Sequence, residues 1–249
     1  MAFSARSRLV NPRLGTYFSI FAALFVAAFL LDLIFEQLGV SDGVLRIVLL
    51  LAPFALYMAI GASTYTQDVL GYFAAGRRVP SGYTGLVLAM SATGATFLVT
   101  ATGAFFFAGF DALVLLMGGL AGFVVMAMVL APFYRKFGAY TVPSYFGRRF
   151  ESKALRIATA MVAAVPVLLV LAAELHLGAG IASQLSGFSV YAMVFVFIAV
   201  ISVCVAPGGM RSFTWTGVAQ AIAMLLALMI AATAVAVLVT SLPVPQLTH

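Results

Sequence analysis

Between Gly85 and Phe110 the chain reads GLVLAMSATGATFLVTATGAFFFAGF, an uncharged run long enough to cross a bilayer. Its glycines and hydroxyl residues make it a poor continuous helix. In hydrocarbon every backbone N–H and C=O needs a partner within the protein, so a segment that loses helical pairing is tolerated only where protein or a wet cavity surrounds it. The SATGAT centre, Ser91 to Thr96, is where released carbonyls and hydroxyls are expected to turn inward. A plainer alternative is that small residues simply let neighbouring helices approach.

The rest of the chain belongs in the same solvent. Of 249 residues 64% are hydrophobic and 8% charged, against about 25% charged in soluble globular chains. The expected class is all-α, a polytopic membrane protein surrounded by lipid. The net charge of +6 does not point to nucleic acid, because the basic residues sit singly or in pairs beside apolar spans, where they orient a membrane protein. Cys204, the single cysteine, allows neither an intrachain disulfide nor a cysteine metal cluster. There is no phosphate-cradling loop, nucleophile triad or zinc spacing, so the expectation is a protein that is not an enzyme.

Seven apolar segments are expected to span: Thr16 to Phe35, Leu45 to Thr66, Gly82 to Phe110, Leu113 to Tyr134, Ala154 to Gln184, Val190 to Ala206 and Phe213 to Thr240. Pro53 and Pro166 are expected kinks. Twelve of the thirteen Lys and Arg residues fall on one side of this arrangement and only Arg46 on the other. The N-terminus is then cytoplasmic and the C-terminus outside. The opening MAFSARSRLVNPR is a retained cytoplasmic tail, since the apolar run behind it is too long for a signal peptide. Asp32 and Glu36 share a face near the outer end of the first span, as a snorkelling rim or an ion-attracting pair. Asp111 is placed to cap the fourth span.

Four ordered landmarks resemble the sodium:solute symporter family. They are GYFAAGRRVPSGYTG (Gly71 to Gly85) leading into the broken segment, YTVPSYFGRRF (Tyr140 to Phe150), the long span Pro166 to Gly187, and GGMRSFTWTGVAQ (Gly208 to Gln220). The resemblance runs from about Tyr72 to Met229 and is nearest to the monocarboxylate (acetate) permease branch. It implies two inverted five-helix repeats, the first helix of each broken at its middle. Residues 1–15 would then be a tail, 16–66 two accessory helices, 67–240 the first repeat and 241–249 an external tail. The second repeat would lie in a separate transporter half. The resemblance also implies a bacterial inner membrane and a small organic solute carried with sodium.

By the same resemblance, sodium is held by the backbone carbonyls of Ala89 and Ala92, an incomplete site whose other ligands come from the second half. Ser91, Thr93, Thr96 and Gln220 are the candidates to contact substrate. Each hydroxyl has an alternative, a bond back to a carbonyl one turn earlier. Gly217 stands where many family members carry aspartate, which puts a second coupled cation site in doubt. Glu174 and His176 are ionisable groups deep within a span and point to different faces. Glu174 is a candidate proton-linked group, and a structural polar contact is the alternative. Arg77, Arg78, Arg148 and Arg149 read as anchors for anionic headgroups. The other functional class open to such a chain is a symporter-like sensor or scaffold without transport of its own.

Overall fold

The structure is a computed structural model that describes residues 14–240. The tails at 1–13 and 241–249, with Arg6, Arg8 and Arg13, lie outside the described residues. All regular structure among the described residues is helical, and the chain divides into two units, 1–92 with 182–249, and 93–181.

In the first unit α1 (Leu14–Gln37) and α2 (Asp42–Ser63) are joined by a short turn at Gly39. Both are apolar nearly all round, as lipid-facing helices are. Arg46 pairs with Asp42 one turn away at 4.0 Å, an exposed contact that contributes little. The six-residue α3 (Val69–Ala74) starts on Asp68, whose carboxylate accepts the Gly71 N–H at 2.7 Å. A tight turn at Ala75–Arg77 leads to α4 (Ser81–Ala92), and α10 (Val190–Val205) and α11 (Met210–Thr240) complete the unit.

Helix α11 is the centre of this unit and packs on α1, α2, α3, α4 and α10. Its sequence explains why. Ser212, Thr214, Thr216, Val218, Ala219 and Ala221 are all buried, and such small residues let surrounding backbones approach closely. Phe21 of α1 fills the space over Ala219 and Ala223, while Phe18, Tyr83 and Trp215 form a ring cluster with centroids 5.5–6.2 Å apart. Fully buried Ser212 donates to the Gly61 carbonyl at 3.0 Å and lies 2.8 Å from Thr64 Oγ1. Ser212→Ala removes both contacts and is expected to cost about 1–3 kcal/mol, read as a lower thermal midpoint in detergent; an unchanged midpoint would count against this network.

The second unit runs through α5 (Ala95–Ala108), a 3-10 turn at Gly109–Ala112, α6 (Leu113–Val125), a π-helical turn at Met126–Leu130 and α7 (Ala131–Phe137). Pro132 opens α7, and its missing N–H and crowding ring account for the widened turn just before it. The amphipathic α8 (Val142–Arg149) starts on Thr141, whose hydroxyl accepts the Ser144 N–H, and Tyr145 packs against Tyr134 and Phe137 with ring centroids 4.8 Å apart. Helix α9 (Lys153–Ser186) begins in this unit, and its last five residues belong to the first. Neither Pro53 nor Pro166 ends its helix.

Five helical stretches are long and apolar enough to cross a membrane, where the sequence led us to expect seven. The difference lies in how backbone breaks divide the apolar runs. The third expected span is split, leaving α4 with 12 residues, while α10 has 16. At 1.5 Å per residue these reach only about 18 and 24 Å of a hydrocarbon core of about 30 Å. Conversely, the 43 residues from Ala95 to Phe137 form one helical stretch, interrupted at Gly109, which adopts φ +57°. Asp111 does not cap α6 as expected; it sits within the Gly109–Ala112 turn, and Ala112, at the cap position, makes no side-chain cap bond.

Candidate functional site

Helical pairing fails at Thr93 and Gly94, between α4 and α5, inside the SATGAT centre. Gly94 holds the cap position of α5 in extended geometry (φ −67°, ψ 178°) and has no side chain with which to cap it. Glu174 of α9 supplies the cap instead, its Oε1 accepting the Thr96 N–H at 3.1 Å. A Cβ on Gly94 would fall within about 2.4–2.8 Å of the Glu174 carboxyl atoms, so glycine is what lets the carboxylate reach the helix end. A negative charge at a helix N-terminus meets unpaired N–H groups and the positive end of the helix dipole. His176 points to the exposed side of α9.

This cap redirects a hydrogen bond. In an unbroken helix the Thr96 N–H would bond the Ala92 carbonyl; committed to Glu174, it leaves that carbonyl without its usual donor. Ala89 lies three residues earlier, in the last turn of α4.

The hydroxyls divide. Ser91 donates to the Val87 carbonyl at 2.8 Å, one turn earlier on its own helix, the alternative weighed from the sequence. Thr93 is half-buried at the break itself. Thr96 Oγ1 is buried without a hydrogen-bond partner, so its hydroxyl faces protein with its polar capacity unused. Gln220 is half-buried on α11, one turn after Thr216, whose Oγ1 is likewise buried and unpartnered. Thr216 went unnoticed in the sequence, although its place beside Gly217 in the TWTG element was the available signal.

Gly217 faces α4. A Cβ there would come within 2.9 Å of Met90 Cε and 3.4 Å of Val87 Cγ1. A methyl group can be admitted if the flexible Met90 tip swings aside, but a carboxylate would be buried among apolar atoms. Gly217→Ala is therefore expected to be near neutral. Gly217→Asp is expected to cost several kcal/mol, as burial of an uncompensated charge does; equal melting midpoints of the two variants in detergent would contradict this.

Apolar helices long enough to cross a bilayer, one segment interrupted within its apolar run and capped by a carboxylate from elsewhere in the fold, define an integral membrane protein of the broken-helix type that secondary transporters use. The family model of the sodium:solute symporter family matches residues 72–244, and the chain belongs to that family, whose members are transporters. It is 31% identical over 196 residues to an uncharacterised symporter of Cupriavidus necator, covering 76% of this chain and 29% of that protein. It is 29% identical over 177 residues to solute carrier family 5 member 4 of Rattus norvegicus, covering 69% of this chain and 26% of the relative. With solute carrier family 5 member 4A of Mus musculus the identity is 27% over 177 residues, covering 69% and 27%. The chain thus spans less than a third of the length of these curated relatives. No solved structure matches it.

Proposed function

We propose that the chain forms the first half of a sodium-coupled symporter for a small organic solute, a monocarboxylate in our reading, and that it works by alternating access with a second transporter half. Residues 67–240 are the first five-helix repeat and 16–66 two accessory helices. The chain crosses an inner membrane seven times, α4 with α5 counting as one interrupted crossing, with a cytoplasmic N-terminus. The observation that carries this reading is the capped break at Thr93–Gly94, supported by family membership and by the symporter named among the relatives. Sodium meets the Ala89 and Ala92 carbonyls, because carbonyl oxygens at the end of a broken helix can ligate a hard cation without burying a charge. Thr93, Thr96 and Gln220 contact the solute; Ser91, already bonded within α4, is the weakest member of the proposed set.

A solute carboxylate would compete with Glu174 for the N–H groups at the α5 N-terminus. Glu174 therefore yields that position while the solute occupies it, and its proton-linked role is part of the same proposal. The test is uptake of labelled acetate into bacteria expressing this chain alone, or joined to the C-terminal remainder of the Cupriavidus necator relative. Sodium-dependent accumulation is expected only in the joined form. Sodium-independent accumulation would refute coupling, and no accumulation by a well-expressed joined protein would favour the sensor or scaffold class, toward which Gly217 in place of a carboxylate also leans.

A further inference from the structure

The first unit contains a cavity of about 900 Å³ that the transport reading does not use. It lies where α1 and α11 begin and where α2 passes into α3. Phe18, Phe21, Leu24, Leu56 and Ile60 give it an apolar wall about two helical turns long, and Thr66, Arg78 and Arg211 give it a polar end. Both arginines are exposed, and neither takes part in an ion pair among the described residues. Asp68, the carboxylate in the same lining, accepts the Gly71 N–H through one oxygen, and with Arg78 and Arg211 the lining keeps a net positive charge.

The polar end is held firmly. The Thr66 N–H donates to the Pro207 carbonyl at 3.3 Å, which ties the α2–α3 link to the turn before α11. Gly209 in that turn adopts φ +55°, and a Cβ on it would fall 2.5 Å from the Tyr72 carbonyl oxygen. Only glycine permits this fit. Arg78 and Arg211 both line the cavity at this end.

Two guanidinium groups with no ion pair among the described residues, beside an apolar trough, fit an amphiphile with an anionic head and a hydrocarbon tail. Guanidinium is suited to phosphate because its planar fork donates two parallel hydrogen bonds. A small free anion would leave the trough unused. The chain's own opening segment is a poor occupant, since Arg6, Arg8 and Arg13 would repel Arg78 and Arg211. We propose that this cavity holds one anionic phospholipid, its phosphate met by Arg78 and Arg211 and an acyl chain lying along Phe18, Phe21, Leu24, Leu56 and Ile60.

Trp215, the single tryptophan, lines the cavity and reports on it directly. The full chain is reconstituted in phosphatidylcholine vesicles containing a low mole fraction of either brominated phosphatidylglycerol or brominated phosphatidylcholine, whose bromines quench nearby indole fluorescence. Phosphatidylglycerol is expected at the cavity with about thirtyfold preference, the ratio given by two arginine contacts to an anionic headgroup. The R78Q/R211Q double variant, with unchanged helical circular dichroism, is expected to lose that preference and keep the baseline quenching by brominated phosphatidylcholine. Equal quenching by the two lipids in the parent protein, a preference that survives in the double variant, or no quenching by either lipid would overturn the proposal; the last would mean that protein fills the cavity. None of these readouts requires transport, so the site stands or falls independently of the symporter reading.

Discussion

Gly61→Val is expected to prevent stable assembly of the first unit, seen as aggregation or loss of the monodisperse species when the protein is extracted in mild detergent. An ideal Cβ at Gly61 lies 2.6 Å from both the Cα and the carbonyl oxygen of Cys204, so α2 and α10 touch backbone to backbone. No rotamer change relieves that overlap; the helices have to part. Overpacking typically costs about 1–3 kcal/mol when side chains can adjust, and here the obstacle is main chain, so the cost should lie at or above the top of that range. The displacement would also pull the Gly61 carbonyl from Ser212. Cys204→Ala is the informative companion. It removes the thiol and leaves the backbone in place, so it should be well tolerated alone and should not rescue Gly61→Val. Rescue would show that the thiol, rather than the helix backbone, sets the spacing.

Gly94→Ala is the second large effect, and it differs in kind because the obstacle is the tip of a flexible side chain. The Glu174 carboxylate can swing away, but only by abandoning the Thr96 N–H. The expected cost is that of a charge-assisted hydrogen bond, about 1.5–3 kcal/mol, with a larger effect on transport because the geometry of the break depends on the cap. Glu174→Ala should cost a similar amount. Since both changes remove one interaction, the double variant should be no less stable than either single one, a non-additivity that a thermal-melting cycle in detergent measures. Fully additive losses would mean that Gly94 and Glu174 act separately. Glu174→Gln keeps the shape of the cap and removes its charge. In the joined transporter it is expected to retain sodium-dependent uptake while lowering the KM for a carboxylate solute, because a neutral amide competes less well for the α5 N-terminus. A fall in kcat with KM unchanged would instead place Glu174 in the conformational cycle.

Several of these features were legible in the residues themselves. The uncharged Gly/Thr segment signalled a break between Ser91 and Thr96, and the backbone does leave helical geometry there, because Thr93 and Gly94 are poor helix formers side by side. What satisfies the broken turn was not legible. Glu174 follows Thr96 by 78 residues, and the sequence left open whether its carboxyl was functional or a structural contact. Asp111 shows the opposite failure. Its type and place fit a cap, but the 3-10 turn that begins at Gly109, with positive φ, leaves Asp111 one residue short of the cap position, which Ala112 holds. Arg78 read as a headgroup anchor and Arg211 as an orienting charge, and only the fold brings both into the lining of one cavity.

The sequence by itself determined the solvent, the helical class, the family and the place where a helix must fail, since each depends on local composition or on motifs contiguous in the chain. The tertiary structure alone decided which groups answer that failure and where main chains touch. Glu174 beneath Gly94, Cys204 against Gly61 and Met90 over Gly217 are distances of a few ångströms between residues far apart in the chain, and they follow from how whole helices pack together.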